Sequence, residues 1–383
     1  MKTEFMIRPA RCAYVHIPFC RSKCAYCAFR SFPAEVDIKE KYITRLEKEI
    51  RSAGRNHSVP LKSLYLGGGT PSELDTSQIG RIYAAVDETF GFLPEAERTI
   101  EVNPFSGSRQ KLEALRSLGF NRLSVGVQSL SDPLLRTLGR PHSARQALET
   151  LEAARNAGFS NISADLMFGL PGQTPEDLTD SIDRLVSLPQ ITHISAYSLS
   201  VEPGTRFGRL QKEGKLVLPD EDTERHMQYL LNDRLAQAGF VQYEISNYAR
   251  PGFEAVHNGA YWDLTGYYGF GLSASSFTDG VRKTNTFDMT EYLDSPADAA
   301  VPGESHSLDF DEAAGDFMFL GLRRCAGVDD RQFQKMFGSS FFERWPDQID
   351  SLRDRGLLVR EGTVLKLTEL GKDLANQVFV EFV

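Results

Sequence analysis

The chain has 383 residues, 41% of them hydrophobic and 25% charged, with a formal net charge of −9. That length supports two or three domains with cores of their own, and the composition excludes a disordered or fibrous chain. The acidic balance argues against a broad nucleic-acid surface, which needs clustered positive charge, and no run approaches the ~18 consecutive apolar residues of an integral membrane segment.

Residues 1–11 lack the apolar stretch of a signal peptide, so a cytoplasmic chain with reduced thiols is expected. From there short β-rich runs alternate with amphipathic helical stretches. The spacing predicts strands over 12–17, 61–66, 99–102, 122–127, 162–168 and 191–199. Ile38, Tyr42, Leu46 and Ile50 recur at the helical i+4 period, as do Ile79 and Tyr83, with Ile82 and Val86 on the adjacent row. Ser131-Asp-Pro133 and Thr174-Pro-Glu-Asp177 read as helix starts with proline in the first turn. About six such units imply an α/β fold with a parallel sheet forming an open or partial (β/α)6 barrel, because a complete barrel needs eight units in roughly 250 residues. A long helix over 220–239, ending at a glycine cap, closes a core domain of residues 1–239. Residues 240–307 are expected as a connecting segment: 243–277 is rich in Gly, Tyr and Asn, and 279–307 reads as irregular. Residues 308–383 form an α-rich C-terminal domain. Short strands over 357–360 and 364–367 and a last helix from Thr368 give it a winged-helix-like end. The acidic balance assigns that end a packing role rather than DNA binding.

The chemistry concentrates at Cys20-Arg-Ser-Lys-Cys24-Ala-Tyr-Cys27, three of the five cysteines within eight residues, directly after the first strand. Soft thiolate ligands select iron–sulfur clusters or zinc. Three thiolates on a four-iron cube leave one iron open to an exogenous chelating ligand. A structural zinc ion wants a fourth protein ligand, and none stands nearby, His16 lying within the preceding strand. Cys12 and Cys325 lack the spacing and read as small hydrophobic residues.

Leu66-Gly67-Gly68-Gly69-Thr70-Pro71 follows the second strand, where successive glycines let backbone amides approach a polar ligand. Polar residues recur at other expected strand ends: Glu101, Gln128 and Asp165, with Arg140 in Gly-Arg-Pro-His. Each alone could be a solvated terminus. Together, at the carboxyl ends of barrel strands, they surround one face. The Phe168-Gly-Leu-Pro-Gly-Gln-Thr174 loop reads as a strand-to-helix turn shaping that pocket.

The Cys-x3-Cys-x2-Cys arrangement after a first strand resembles the radical S-adenosylmethionine superfamily, and Tyr14-Val-His-Ile-Pro-Phe-Cys20 resembles its oxygen-independent coproporphyrinogen oxidase branch. The resemblance implies a [4Fe–4S] cluster on Cys20, Cys24 and Cys27 that binds S-adenosylmethionine. Its contacts would be Tyr14, Tyr26, Gly68, Gly69, Thr70, Glu101, Gln128, Arg140 and Asp165. Glu101 and Arg140 would fix the charged end of that ligand, and Asp165 or Gln128 the ribose.

Two relatives within the branch differ at named positions. Coproporphyrinogen dehydrogenases resemble this core but carry a further cysteine two residues after the third ligand and a long N-terminal extension. Here Phe29 holds that position and 19 residues precede Cys20, as in HemW-type heme chaperones. His257-Asn258-x2-Tyr261-Trp262 resembles a motif of that group implicated in heme binding. Neutral imidazole suits heme iron, and His257 stands equally as a heme ligand or as a hydrogen-bonded core histidine. Ser275 occupies a position where many relatives have histidine. His16, His142 and His193 read as structural. The expectation is thus a heme-binding protein that passes heme to acceptor apoproteins, with homodimerisation compatible with the sequence. The alternative is an enzyme that cleaves S-adenosylmethionine and abstracts hydrogen from a porphyrinogen propionate.

Overall fold

The computed structural model describes residues 7–54, 59–296 and 301–383. Six strands, β1 (Arg8–Ile17), β2 (Leu61–Gly68), β3 (Phe92–Val102), β4 (Arg122–Gln128), β5 (Asn161–Phe168) and β6 (Ile191–Ser198), lie side by side in chain order. All neighbouring pairs among them are parallel. Every expected strand forms. β1 and β3 begin earlier than their apolar runs, because charged residues such as Arg11, Glu95 and Arg98 interrupt the pattern without interrupting the backbone ladder.

The crossover helices are specified locally. Val36–Ala53 buries Tyr42, Ile43, Leu46 and Ile50 on one face. Capping boxes Asp75/Gln78 and Thr174/Asp177 start Thr76–Phe90 and Pro175–Val186, each worth about 1 kcal/mol. The helix Glu221–Gln237 ends at Ala238, with Gly239 at φ 82° turning the chain.

After that helix the chain goes to both edges of the sheet. β8 (Asn247–Ala249) adds antiparallel to β6, and β7 (Val241–Glu244) pairs antiparallel with β8 at the edge. β9 (Thr265–Phe270) adds parallel to β1, followed by the antiparallel strands β10 (Ser275–Thr278), β11 (Val281–Asn285) and β12 (Gly303–Ser307). The result is one 12-stranded sheet that remains open, in the order β12-β11-β10-β9-β1-β2-β3-β4-β5-β6-β8-β7. The expectation of irregular chain over 279–307 is corrected: it holds β11, the helix Met289–Asp294 and β12. Every residue of β12 is exposed, so that edge strand carries no hydrophobic alternation to read.

The C-terminal part is α-rich, with Phe310–Gly321, Asp330–Phe337 and Pro346–Asp354 around a second core of Phe317, Phe333, Phe337 and Phe341. Leu264 and Phe277, from the middle segment, belong to that core. The wing forms from β14 (Leu358–Glu361) and β15 (Val364–Leu367) about Gly362, joined by a short third strand, β13 (Val328–Asp329). Among the described residues no helix is long and apolar enough to cross a membrane.

The strands present two unlike faces, as their period of two requires. Leu64 and Leu66, Ile100 and Val102, Leu123, Val125 and Val127, and Ile162, Ala164 and Leu166 join the apolar core beneath the helices. The alternate positions are buried and polar: Ser63, Glu97, Thr99, Arg122, Ser124, Ser163, His193 and Ser195. A barrel interior this polar is suited to a ligand rather than to packing alone.

Candidate cofactor and active site

A cavity of about 540 Å3 opens at the carboxyl ends of the parallel strands, within the size range of small-molecule sites. Cys20, Cys24, Tyr26, Cys27, Gly68, Gly69, Thr70, Glu101, Gln128, Arg140 and Asp165 all line it. Residues separated by more than a hundred positions in sequence meet there because consecutive parallel strands end on one side.

The cysteine loop is tied down at several points. Cys20 N–H donates to the Phe32 carbonyl, Ala25 N–H to Leu138, and Phe207 N–H to Ala25. Ala25, Leu134, Leu138, Met167, Leu170 and Phe207 form a small apolar cluster beneath it. The Thr70 hydroxyl lies 3.4 Å from Cys20 Sγ, and Arg140 Nη1 lies 3.6 Å from Cys24 Sγ. Burial pushes the Cys20 and Cys27 thiols up, while Thr70 and the Phe29 backbone, respectively, pull them down.

The glycine loop is dictated by contact. Gly68 has φ 115°, and a Cβ there would lie 2.6 Å from the His16 ring. A Cβ at Gly69 would stand 2.9 Å from the Phe19 carbonyl oxygen, so neither position accepts a larger residue without backbone movement. Gly69 N–H donates to the Ile17 carbonyl at 2.8 Å, fixing the loop against β1.

The acidic groups sit deep. Glu101 accepts from the Tyr65 hydroxyl at 2.9 Å and from Gly68 N–H at 3.2 Å, and burial raises its pKa to about 7. Asp165 accepts from the hydroxyls of Ser124 at 3.0 Å and Ser163 at 3.2 Å, and burial raises its pKa as well. Arg140 donates to the Gly126 carbonyl at 2.7 Å. Gln128 has φ 64° and sits where the β4–β5 register shifts. This is a left-handed conformation that a non-glycine residue adopts only when its surroundings impose it.

Two expected residues are not brought to the cavity. Tyr14 lies behind the wall, its hydroxyl 3.0 Å from His16 Nδ1 and its ring stacked 6.1 Å from that of Tyr65. His257 is buried in the barrel with Nδ1 2.9 Å from the Ser63 hydroxyl and Nε2 2.8 Å from the Tyr261 hydroxyl. Ser275 is exposed and bonds Thr284 across a hairpin. His16, His142 and His193 each hydrogen-bond internally. Cys12 is buried and Cys325 half-buried. The cavity also gains Tyr65, Arg122, Ser124, Ser195, Tyr197 and Asn258. Their signal was available for the strands: Arg122, Ser124 and Gly126 alternate along β4, as Ser195 and Tyr197 do along β6.

Among the described residues, no three His, Cys, Asp or Glu side chains converge closely enough to hold a single metal ion. A four-iron cube takes one thiolate per corner, so its ligands need not converge on a point. Three cysteines along one wall of a cavity, with Thr70 and Arg140 against their sulfurs, fit such a cluster.

Residues 14–185 match the Radical SAM superfamily and residues 308–374 the HemN C-terminal domain. Coproporphyrinogen III oxidase (HemN) from Escherichia coli superposes with a TM-score of 0.85 at 25% identity, over 98% of this chain and 90% of that one. Fold and site thus define a radical S-adenosylmethionine protein of the coproporphyrinogen III oxidase-like branch. The heme chaperone HemW of Bacillus subtilis strain 168 is 38% identical over 373 residues, 97% of this chain and 98% of that one. HemW of Lactococcus lactis strain IL1403 is 36% identical over 380 residues, 98% of each chain. The chain belongs to the HemW family.

Proposed function

We propose that this chain is a heme chaperone: it binds heme, carries a [4Fe–4S] cluster with exchangeable S-adenosylmethionine, and hands heme to acceptor proteins. Cys20, Cys24 and Cys27 would hold the cluster. With the N–H groups of Gly68 and Gly69 taken by Glu101 and Ile17, these glycines would meet the amino group of S-adenosylmethionine through their carbonyls, beside the Thr70 hydroxyl and Glu101, with Arg140 toward its carboxylate. Asp165 and Gln128 are suited to the ribose hydroxyls, since a carboxylate accepts two hydrogen bonds and an amide both donates and accepts. Cluster and S-adenosylmethionine together supply one-electron chemistry when bound.

The observation that carries the chaperone reading is Phe29. This residue is 69% exposed and lines the cavity two residues after Cys27. Tyr197, 43% exposed, lines the same cavity. Two large aromatic surfaces left open to water at one mouth suit a flat apolar macrocycle. A thiol at position 29 would instead offer proton or redox chemistry.

A second reading, oxidative decarboxylation of a coproporphyrinogen, is favoured by the cavity itself, whose buried carboxylates and arginine a passive carrier does not need. One anaerobic experiment separates the two. Reconstituted protein is incubated with S-adenosylmethionine, reductant and either heme or coproporphyrinogen III. A stoichiometric Soret shift without protoporphyrinogen is the expected result. Multiple turnovers to protoporphyrinogen reject the chaperone reading.

A further inference from the structure

The His257-Asn258-x2-Tyr261-Trp262 segment is a short helix, Val256–Trp262, that lies against β2 and β9 inside the open barrel. The Glu97 carboxylate on β3 accepts the backbone N–H groups of Val256 and His257, both at 3.0 Å, and so fixes where the helix begins. The imidazole of His257 is 1% exposed and has a hydroxyl on each nitrogen, Ser63 at 2.9 Å and Tyr261 at 2.8 Å. A neutral imidazole has one donor and one acceptor, and both are engaged. Ligating an iron would cost the bond at the nitrogen that binds it, and the burial of the ring as well.

The ring has another neighbour. It stacks on Tyr65 with centroids 5.2 Å apart and planes inclined by 30°. Tyr65, on β2, lines the cavity and donates its hydroxyl to Glu101 Oε1 at 2.9 Å, while Gly68 N–H holds Oε2 at 3.2 Å. The carboxylate is therefore oriented through both oxygens. Gly67 is part of the same arrangement: a Cβ there would lie 2.8 Å from the Tyr65 ring and 2.9 Å from Glu101 Oε1. Asn258, next to the histidine, lines the cavity itself.

We infer that His257 is a positioning residue for the S-adenosylmethionine site, acting through Tyr65 on Glu101, and that the motif is the floor of that site rather than a heme ligand. The chain of contact is direct. His257 supports one face of the Tyr65 ring, and that ring aims the hydroxyl that sets the Glu101 carboxylate. Gly67 provides the space in which tyrosine and glutamate meet. The inference rests on the reading that Glu101 meets S-adenosylmethionine.

A double-mutant cycle tests it on cluster-reconstituted full-length protein, with S-adenosylmethionine affinity read by anaerobic equilibrium dialysis and heme binding by Soret titration. Tyr65→Phe removes the hydroxyl and keeps the ring; His257→Gln keeps polarity and removes the stacked ring. Each is expected to weaken S-adenosylmethionine binding about tenfold, the scale of one hydrogen bond to a charged group. The double variant is expected to be no weaker than the worse single, since residues acting in series do not add. Iron and sulfide content and the heme spectrum should be unchanged. Should His257→Gln not yield folded protein, Tyr261→Phe, which removes the hydroxyl from Nε2, takes its place in the cycle. A lost heme spectrum in His257→Gln with unaltered S-adenosylmethionine affinity overturns the inference, and so does strict additivity. If the native protein binds no S-adenosylmethionine, the reading of the cavity fails, and that failure is visible before any variant is made.

Discussion

The Thr70 hydroxyl and the Cys20 thiol stand 3.4 Å apart, joining the glycine loop after β2 to the cysteine loop after β1. The two loops would hold different ligands, yet they form one rigid unit, since Gly69 N–H also donates to Ile17 at 2.8 Å. Disturbing either loop should therefore disturb both ligands.

Gly69→Ala makes that expectation measurable. The new methyl would lie 2.9 Å from the Phe19 carbonyl oxygen and 3.0 Å from that of Ile17. Overpacking against backbone of this kind costs about 1–3 kcal/mol. The variant should show a lower urea midpoint and fewer iron and sulfide atoms per chain. A full complement of iron with unchanged S-adenosylmethionine affinity would show the loops to be independent.

Asp165→Asn should weaken S-adenosylmethionine binding and leave the cluster in place. The carboxylate is buried and accepts hydroxyl donors from Ser124 and Ser163. Replacing one oxygen by an amide NH2 removes an acceptor and the negative charge that a ribose hydroxyl would bond, while the serine hydroxyls can turn to accept from the new donor. A loss of about 10- to 100-fold in affinity is expected, equivalent to about 1.5–3 kcal/mol for hydrogen bonds to a charged group. Equilibrium dialysis beside iron analysis gives both quantities, and an unchanged affinity would remove Asp165 from the ligand set.

Phe29→Ala probes the cavity mouth. At 69% exposure the residue contributes little to folding, so the unfolding free energy should change by no more than the ~0.5 kcal/mol typical of surface changes. Heme affinity should fall about three- to tenfold, the value of one aromatic contact with a planar ring. Soret titration reads this directly, and an unchanged titration with Tyr197→Ala as well would place heme elsewhere.

Acid should destabilise this protein through its buried histidines. Burial lowers the pKa of His257 to about 3 and that of His142 to about 4, against an ordinary value of 6.5. Below pH 6.5 the unfolded chain takes up protons that the folded chain refuses. Stability therefore falls as pH drops from about 6.5, by up to about 1.4 kcal/mol per pH unit for each group. His257→Gln should flatten the wild-type dependence between pH 6 and pH 4 by about one proton. Urea midpoints across that interval give the slope, and parallel curves for the two proteins would contradict the assignment.

Local sequence was a reliable guide wherever the physics was local. The six parallel strands, the helix start at Thr174 and the cysteine loop are written in short-range patterns: apolar runs, Thr-Pro-Glu-Asp, and thiols at fixed spacing. Glu101, Gln128 and Asp165 could be gathered into one site from the sequence because each lies in the carboxyl half of a parallel strand, and parallel strands point the same way. The run over 279–307 was illegible for the opposite reason. An exposed edge strand such as β12 pairs through its backbone alone, and the side chains of Gly-Glu-Ser-His-Ser carry no trace of it.

His257 marks the boundary between the two kinds of information. From the sequence it was equally a heme ligand or a core histidine, because imidazole serves both roles even within a motif that resembles one implicated in heme binding. Only the packing shows what surrounds it, bringing Ser63 and Tyr261 to its two nitrogens and Tyr65 to its face. The sequence alone determined that three thiols and a glycine loop would face a polar pocket, since those features depend on neighbours a few residues away. Which polar groups look into that pocket and which hold its walls depends on contacts spanning as many as 194 residues, as between Ser63 and His257, and such contacts exist only once the sheet has brought its strands together.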